Sequence, residues 1–359
     1  MRKTKIIYII HDFEIGGVET AINSAMNDIC NTFDFSLYCI GKVNNQLLSN
    51  LSDISISNIK SIRKLEDLKS FFSFIKKNKD SIIISSLWKG HLLHFLIKLT
   101  CSTKFSIIFI HNSRFAHFID KLCTIIGLRV ADEIWADSES SVEFIAPYCS
   151  ILQPKIKINF LLNHSSPKNI FKESGQPFRF ISLGRLSKIK RLDLSVKFIQ
   201  ELRSNGIEAL LDIYGPDNDT LPDILQLISS SQLTNVISYK GVCDVSQVEA
   251  VLSQYDAFVL MSDYEGMSIS TVQAMEIGLL CFLRNVGEIA NYGEDMVNSI
   301  ILKSEHPDDW QAFIKNSVHV LTNQTLQKSI ISNSTAKFAN QLTYTQDIIQ
   351  NLKRLSTNS

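Results

Sequence analysis

Residues 262–278, SDYEGMSISTVQAMEIG, place groups together that could act on a charged sugar derivative. They follow an apolar run at 257–261, short and bounded by polar residues, as a buried strand would be. A loop with Glu265 and Gly266 comes next, and Ser268, Ser270 and Thr271 then open a segment expected to be an amphipathic helix. The free N–H groups of a first helical turn point back toward the strand end and seat an anion. A carboxylate beside that seat would repel phosphate itself but would accept hydrogen bonds from the hydroxyls of an attached sugar. The same pattern also suits an ordinary strand-to-helix turn, with Glu265 complementing the helix dipole.

Three other segments have comparable chemistry at the ends of apolar runs. In HDFEIGGVET, Gly16 and Gly17 would let backbone approach a ligand closely before a helix begins, or simply form a turn. His111 heads His111-Asn112-Ser113-Arg114 directly after the run at 105–110, where it could serve a ligand or the core. Gly184-Arg185-Leu186-Ser187-Lys188-Ile189-Lys190-Arg191 places cations directly after the run at 178–183. Arginine offers phosphate a planar fork and lysine a mobile point charge. Cations at a helix start oppose its dipole, so their position favours a ligand over helix stability.

The elements that must hold these groups alternate short β-type runs with helical stretches, which implies parallel sheets with crossover helices. Strands are expected at 5–10, 35–40, 81–85, 105–110, 133–136 and 156–161, and a second set at 178–183, 209–214, 236–239, 257–261 and 280–283. Pro, Ser, Asn and Lys between 163 and 177 read as a linker, and 344–355 reads as a closing helix. At 359 residues, two domains are the natural count. The 36 basic and 36 acidic residues argue against a nucleic-acid binder, whose phosphate contacts need a basic excess. Their distribution is uneven: 19 basic against 15 acidic in residues 1–160, and 17 against 21 thereafter. Seven scattered cysteines without a CxxC pair indicate neither a disulfide framework nor a zinc site, so a reducing cytoplasm fits. Five apolar residues before His11 are too few for a signal peptide, and no run approaches membrane-spanning length.

In this order the motifs resemble the retaining, nucleotide-sugar-dependent glycosyltransferases of the GT-B fold, in particular glycosyltransferase family four as found in bacterial surface-polysaccharide synthesis. The resemblance implies an α/β chain of two doubly wound Rossmann-like domains facing a cleft. Residues 1–165 would bind acceptor, 166–340 the nucleotide sugar, and 341–359 would form a helix packing back on the first domain. Gly16-Gly17-Val18-Glu19 is similar to the family's opening turn, and Gly184-Arg185-Leu186 with Lys190 to its diphosphate-binding segment. Val242, after Tyr239-Lys240-Gly241, matches the segment that meets the nucleobase. Glu265-Gly266-Met267-Ser268-Ile269 matches the start of a signature whose second glutamate is replaced here by Gln273. The pattern resumes at Ala274-Met275-Glu276-Ile277-Gly278, so Gln273 is a substitution within an intact register.

By that resemblance Glu265, His111, Arg185 and Lys190 would be catalytic, and Glu19, His111 and Arg114 would face the acceptor. The donor would lie among Gly16, Gly17, Arg185, Lys190, Val242, residues 265–269 and Gln273. It is expected to be a UDP-sugar carrying a hexose or N-acetylhexosamine, used without metal or other cofactor. The acceptor would be lipid-linked or a growing glycan of O-antigen, capsule or lipopolysaccharide. A nucleotide-sugar epimerase of the same fold, or an inactive sugar-nucleotide-binding partner subunit, are the alternatives. Asp217-Asn218-Asp219 has a manganese-type spacing but follows a second-unit strand at Tyr214-Gly215-Pro216, where the resembled family has a loop, and His91 and His94 stand three apart but have no further ligands nearby. An apolar stripe of Leu65, Leu68, Phe71, Phe72 and Ile75 with flanking lysines, and a second basic-edged apolar stretch at 87–98, could lie on an anionic membrane surface at the inner face of the plasma membrane or face the core.

Overall fold

A computed structural model describes residues 3–14, 16–48, 51–162 and 177–357; the expected linker, apart from Pro177, lies outside the described residues. The chain divides into two compact units, Met1–Leu162 together with Leu342–Ser359, and Asn163–Gln341.

The first unit is built on seven parallel strands, β1 (Lys5–Ile10), β2 (Asp34–Cys39), β3 (Ile59–Ser61), β4 (Ile82–Ser86), β5 (Phe105–Ile110), β6 (Glu133–Ala136) and β7 (Lys155–Lys157). Their order in the sheet is β3-β2-β1-β4-β5-β6-β7. The second unit has β8 (Phe178–Leu183), β9 (Ala209–Tyr214), β10 (Ile237–Tyr239), β11 (Ala257–Leu260), β12 (Leu280–Arg284) and β13 (Ile300–Leu302), also parallel, in the order β10-β9-β8-β11-β12-β13. Helices cover both faces of a parallel sheet, so central strands are apolar throughout. Accordingly Ile6 to Ile10 and Ala257 to Leu260 are all buried. In each sheet the order reverses beside its first strand, between β1 and β4 and between β8 and β11. Such reversals open a crevice at the strand C-termini where ligands bind.

Two strands of three residues each, β3 and β13, were not expected from the sequence. The strand expected at 156–161 covers only Lys155–Lys157; Ile158, Phe160 and Leu161 continue as a buried connection. Helix Tyr344–Thr357 belongs to the first unit. Tyr344 is fully buried, its amide donates to Leu161 O at 2.6 Å, and Asp347 Oδ2 accepts from the Asn159 amide at 2.8 Å.

Helix Leu65–Lys77 takes the core-facing of its two readings. Phe71 and Ile75 pack into the core with Ile7, Ile9, Tyr38 and Ile83, so the stripe faces inward and only Leu65, 68% exposed, stands clear of it. Helix Leu87–Thr100 is different: His91, Leu93, His94 and Ile97 face the interior, while Leu92, Leu96 and Leu99 are exposed. Beside it, helix Phe118–Val130 exposes Phe118, Ile119 and Leu122, so the two helices present an outward apolar band.

Candidate functional site

In the second unit the switch point brings together the exits of β8 and β11. Lys190, in a short 3-10 turn after β8, reaches Glu265, in the loop after β11, with Nζ–Oε1 at 2.6 Å. Their side chains are 23% and 9% exposed, so the pair is shielded but open on the lysine side. The loops are also joined through backbone, since the Asp263 amide donates to Ile189 O at 2.8 Å. Arg185, directly after β8, is exposed.

Two glycines hold the loops close. A side chain on Gly287 would place its Cβ 1.7 Å from the Glu265 carbonyl oxygen, and its φ of +53° favours glycine as well. A Cβ on Gly215 would lie 1.9 Å from the Gly184 carbonyl oxygen. Neither constraint is visible without the tertiary approach. Val242, 47% exposed, follows Gly241, whose carbonyl accepts from the Gly215 amide at 2.9 Å.

Helix Ile269–Ile277 starts after Ser268, which has left-handed φ of +53° and whose Oγ lies 2.8 Å from Thr271 Oγ1. Gly266 and Met267 form the approach, and Met267 O accepts from the Tyr292 hydroxyl at 3.2 Å. The expected amphipathic character is corrected, because Thr271, Val272 and residues 274–277 are all buried. The helix lies between the sheet and helix Gln324–Phe338, which leaves Ile269, Ser270 and Gln273 partly exposed. Gln273 keeps a half-buried side chain, whereas Glu276 is in the interior, where burial and then the charge of Glu249 push its carboxyl up to about 8. Of these two, Gln273 is the better placed for a ligand.

The first unit has a polar chain at its own switch point. Tyr8 of β1 shares a 2.7 Å hydrogen bond with Ser86 Oγ at the end of β4, and Ser86 Oγ is 2.8 Å from His111 Nε2. Asp137 Oδ2 stands 3.8 Å from His111 Nδ1, and Asp137 Oδ1 accepts from the Ser138 and Ser141 hydroxyls. Burial, then the nearby His91, holds the His111 imidazole down at about 3. His111 is therefore a neutral hydrogen-bonding group at physiological pH. It lines a pocket of about 190 Å³ together with His11, Trp88 and Arg114. Leu87, at the mouth of β4, has φ of +63°, a strained value for a non-glycine residue and one associated with functional turns. Glu19 lies in the first turn of helix Gly17–Thr32, near enough for its charge to raise Tyr8. Gly16 is extended at φ −162°, so its conformation does not demand glycine. Tyr8, Ser86 and Asp137 were missed from sequence because their roles arise only from strand neighbours.

The residues considered for metal have other partners. Asp217 Oδ1 accepts from the Thr220 and Leu221 amides, both at 3.0 Å, at the start of helix Leu221–Ser230. His91 Nδ1 meets Thr124 Oγ1, and His94 Nδ1 meets Ser85 Oγ, each at 3.0 Å.

Residues 166–337 match the family described as Glycosyl transferases group 1. A stretch of 142 residues is 30% identical to the GtfA subunit of the UDP-N-acetylglucosamine–peptide N-acetylglucosaminyltransferase of Streptococcus pneumoniae, covering 37% of this chain and 26% of that protein. Another of 116 residues is 30% identical to the putative colanic acid biosynthesis glycosyltransferase WcaL of Salmonella typhimurium, covering 30% of this chain and 28% of that one. The chain thus spans between a quarter and a third of the length of these curated relatives. Among solved structures, Anabaena Alr3699/HepE in complex with UDP and glucose superposes with a TM-score of 0.81 at 14% identity, covering 99% of this chain and 100% of that one. The fold of this chain is the GT-B fold.

Proposed function

We propose that this protein is a retaining glycosyltransferase that moves a hexose or N-acetylhexosamine from a nucleotide sugar, a UDP-sugar in the favoured case, to a lipid-linked or growing surface glycan. The pair of Lys190 and Glu265 at the second switch point carries this reading. Cleaving a sugar–phosphate bond produces an oxocarbenium-like centre and a departing diphosphate whose growing charge needs stabilisation. Lys190, Arg185 and the open first turn at Ser268–Ile269 supply positive potential for that diphosphate. Glu265 accepts from the sugar hydroxyls, and the Gln273 side-chain carbonyl accepts from the ribose. The nucleobase lies along Val242. His111, Arg114 and Glu19 belong to the acceptor side, with His111 as a neutral hydrogen-bonding partner held by Ser86. The name of WcaL supports a polysaccharide acceptor.

A panel of labelled nucleotide sugars, scored for transfer, epimerisation or binding alone, tests the assignment. Transfer from a UDP-sugar is the expected result; epimerised donor without transfer, or tight binding with neither reaction, would replace it. Because cationic side chains and helix amides already face the diphosphate and Asp217 is engaged as a cap, EDTA is expected to leave transfer nearly unchanged. Loss of transfer on chelation, restored by manganese, would overturn the metal-independent mechanism.

Membrane contact is proposed through the apolar band of Leu92, Leu96, Phe118 and Leu122, edged by Lys89 and Lys121. No helix among the described residues is long and apolar enough to cross a membrane. Binding to anionic vesicles is expected to exceed binding to neutral ones, to weaken with salt, and to fall when Leu96 and Phe118 are replaced by aspartate. Equal, negligible co-sedimentation with both vesicle types would remove this surface from the mechanism.

A further inference from the structure

Arg191 directly follows Lys190, and its backbone is left-handed, with φ of +46° and ψ of +49°, a region unfavourable for a residue with a Cβ. Its guanidinium is fully engaged. Nε donates to Asp193 at 3.1 Å, Nη2 to Asp193 at 3.0 Å and to Glu305 at 2.9 Å, and Nη1 to Asp263 at 3.0 Å and to Glu305 at 2.8 Å. Those contacts use all five N–H groups that arginine has, an arrangement the three donors of lysine cannot reproduce. Arg284, the last residue of β12, adds ion pairs to the same Asp263 and to Glu305.

The network therefore joins the exits of four strands. Arg191 and Asp193 follow β8, Asp263 follows β11, Arg284 ends β12 and Glu305 follows β13. Within it, Arg191 is one residue from Lys190, and Asp263 is two residues from Glu265. The Arg191–Asp263 ion pair consequently runs alongside the Lys190–Glu265 pair and ties together the same two loops. Neither Arg191 nor Asp263 is needed to complete a β-strand or the apolar core.

We propose that Arg191 is a positioning residue, the hub of an ion-pair clamp with Asp193, Asp263, Glu305 and Arg284 that sets where Lys190 and Glu265 stand relative to the donor. The proposal rests on the reading of Lys190 and Glu265 as the donor site. Arg191→Gly is the informative variant, because glycine adopts the left-handed turn without steric cost while removing every ion pair of the hub. With the full chain and the nucleotide sugar that the donor panel selects, turnover is expected to fall on the order of 10- to 100-fold, as small misplacements of reacting groups do. KM for the acceptor and the fold of the second unit should be retained, and Arg191→Lys should restore only a minor part of the turnover. Wild-type turnover in Arg191→Gly, alongside an inactive Lys190→Ala, would overturn the clamp and leave the donor site standing. Wild-type turnover in Lys190→Ala would remove the donor reading and the clamp with it. If Arg191→Gly does not fold, Glu305→Gln and Asp263→Asn each cut one arm of the network; turnover at the wild-type level in both would likewise overturn the proposal.

Discussion

Replacing Lys190 with alanine is expected to lower transfer by about 10²-fold or more, the usual loss when a preorganised charge at a developing anion is removed. Two effects add at this position. The diphosphate loses a cation, and Glu265, whose side chain is only 9% exposed, loses its 2.6 Å partner. An unpaired carboxylate in a shielded place is costly and also repels the departing diphosphate. Lys190→Ala should therefore weaken UDP binding as well as turnover, and adding Glu265→Gln should recover part of the UDP affinity without recovering transfer. Glu265→Gln alone keeps the shape of the side chain, so UDP binding should survive while transfer falls. Arg185→Ala is expected to resemble Lys190→Ala, and Gln273→Ala to weaken UDP only modestly, since a neutral hydrogen bond contributes roughly 0.5–1.5 kcal/mol. Steady-state kinetics and UDP calorimetry on the same preparations decide the matter. Wild-type turnover in Lys190→Ala would end the assignment, and wild-type turnover in Arg185→Ala would remove Arg185 from it.

The first unit is expected to be sharply sensitive to acid. His91, His94 and His111 are all buried there, and burial lowers them from 6.5 to about 4, 3 and 3. Between pH 6.5 and about 4 the unfolded chain binds three protons that the folded unit refuses, so stability falls as pH falls. Each group contributes about 1.4 kcal/mol per pH unit in that window, or about 4 kcal/mol for three, a large share of a typical domain stability. Asp347, raised by burial, opposes this in part. In the second unit Glu276 works the other way: its raised carboxyl favours the folded state below about 4.5, and that benefit is lost as pH climbs toward 8. Acidification from pH 7 to pH 5 should therefore open the first unit selectively. Amide exchange by mass spectrometry at the two pH values reads this directly, and His94→Leu should flatten the slope of the first unit by about one third. Equal protection of both units at pH 5 would contradict the account.

Much of the architecture was legible because strands buried on both faces appear as unbroken apolar runs, as in Ile6 to Ile10 and Ala257 to Leu260. Lys190 and Glu265 were legible for a related reason: charge directly after such a run has few structural uses. Illegible features depended on partners far away in sequence. Arg191 has no evident task until Asp263 and Glu305 are beside it. Glu276 follows the spacing of an exposed helix face, yet helix Gln324–Phe338 encloses that helix. The stripe of Leu65–Lys77 with its lysines suited a membrane surface or the core equally, and Phe71 and Ile75 complete the core. Periodicity indicates that a face is apolar without indicating what covers it.

Helix Tyr344–Thr357 is part of the first unit although the whole second unit precedes it in the chain. On the ribosome, the site occupied by Tyr344 beside Phe160 must stay open while some 180 residues of the second unit are made. The second unit can close as it emerges, whereas the first waits with part of its core uncovered for its last helix. The half made first is thus the half finished last, and the interval between is when chaperones and proteases have access to it.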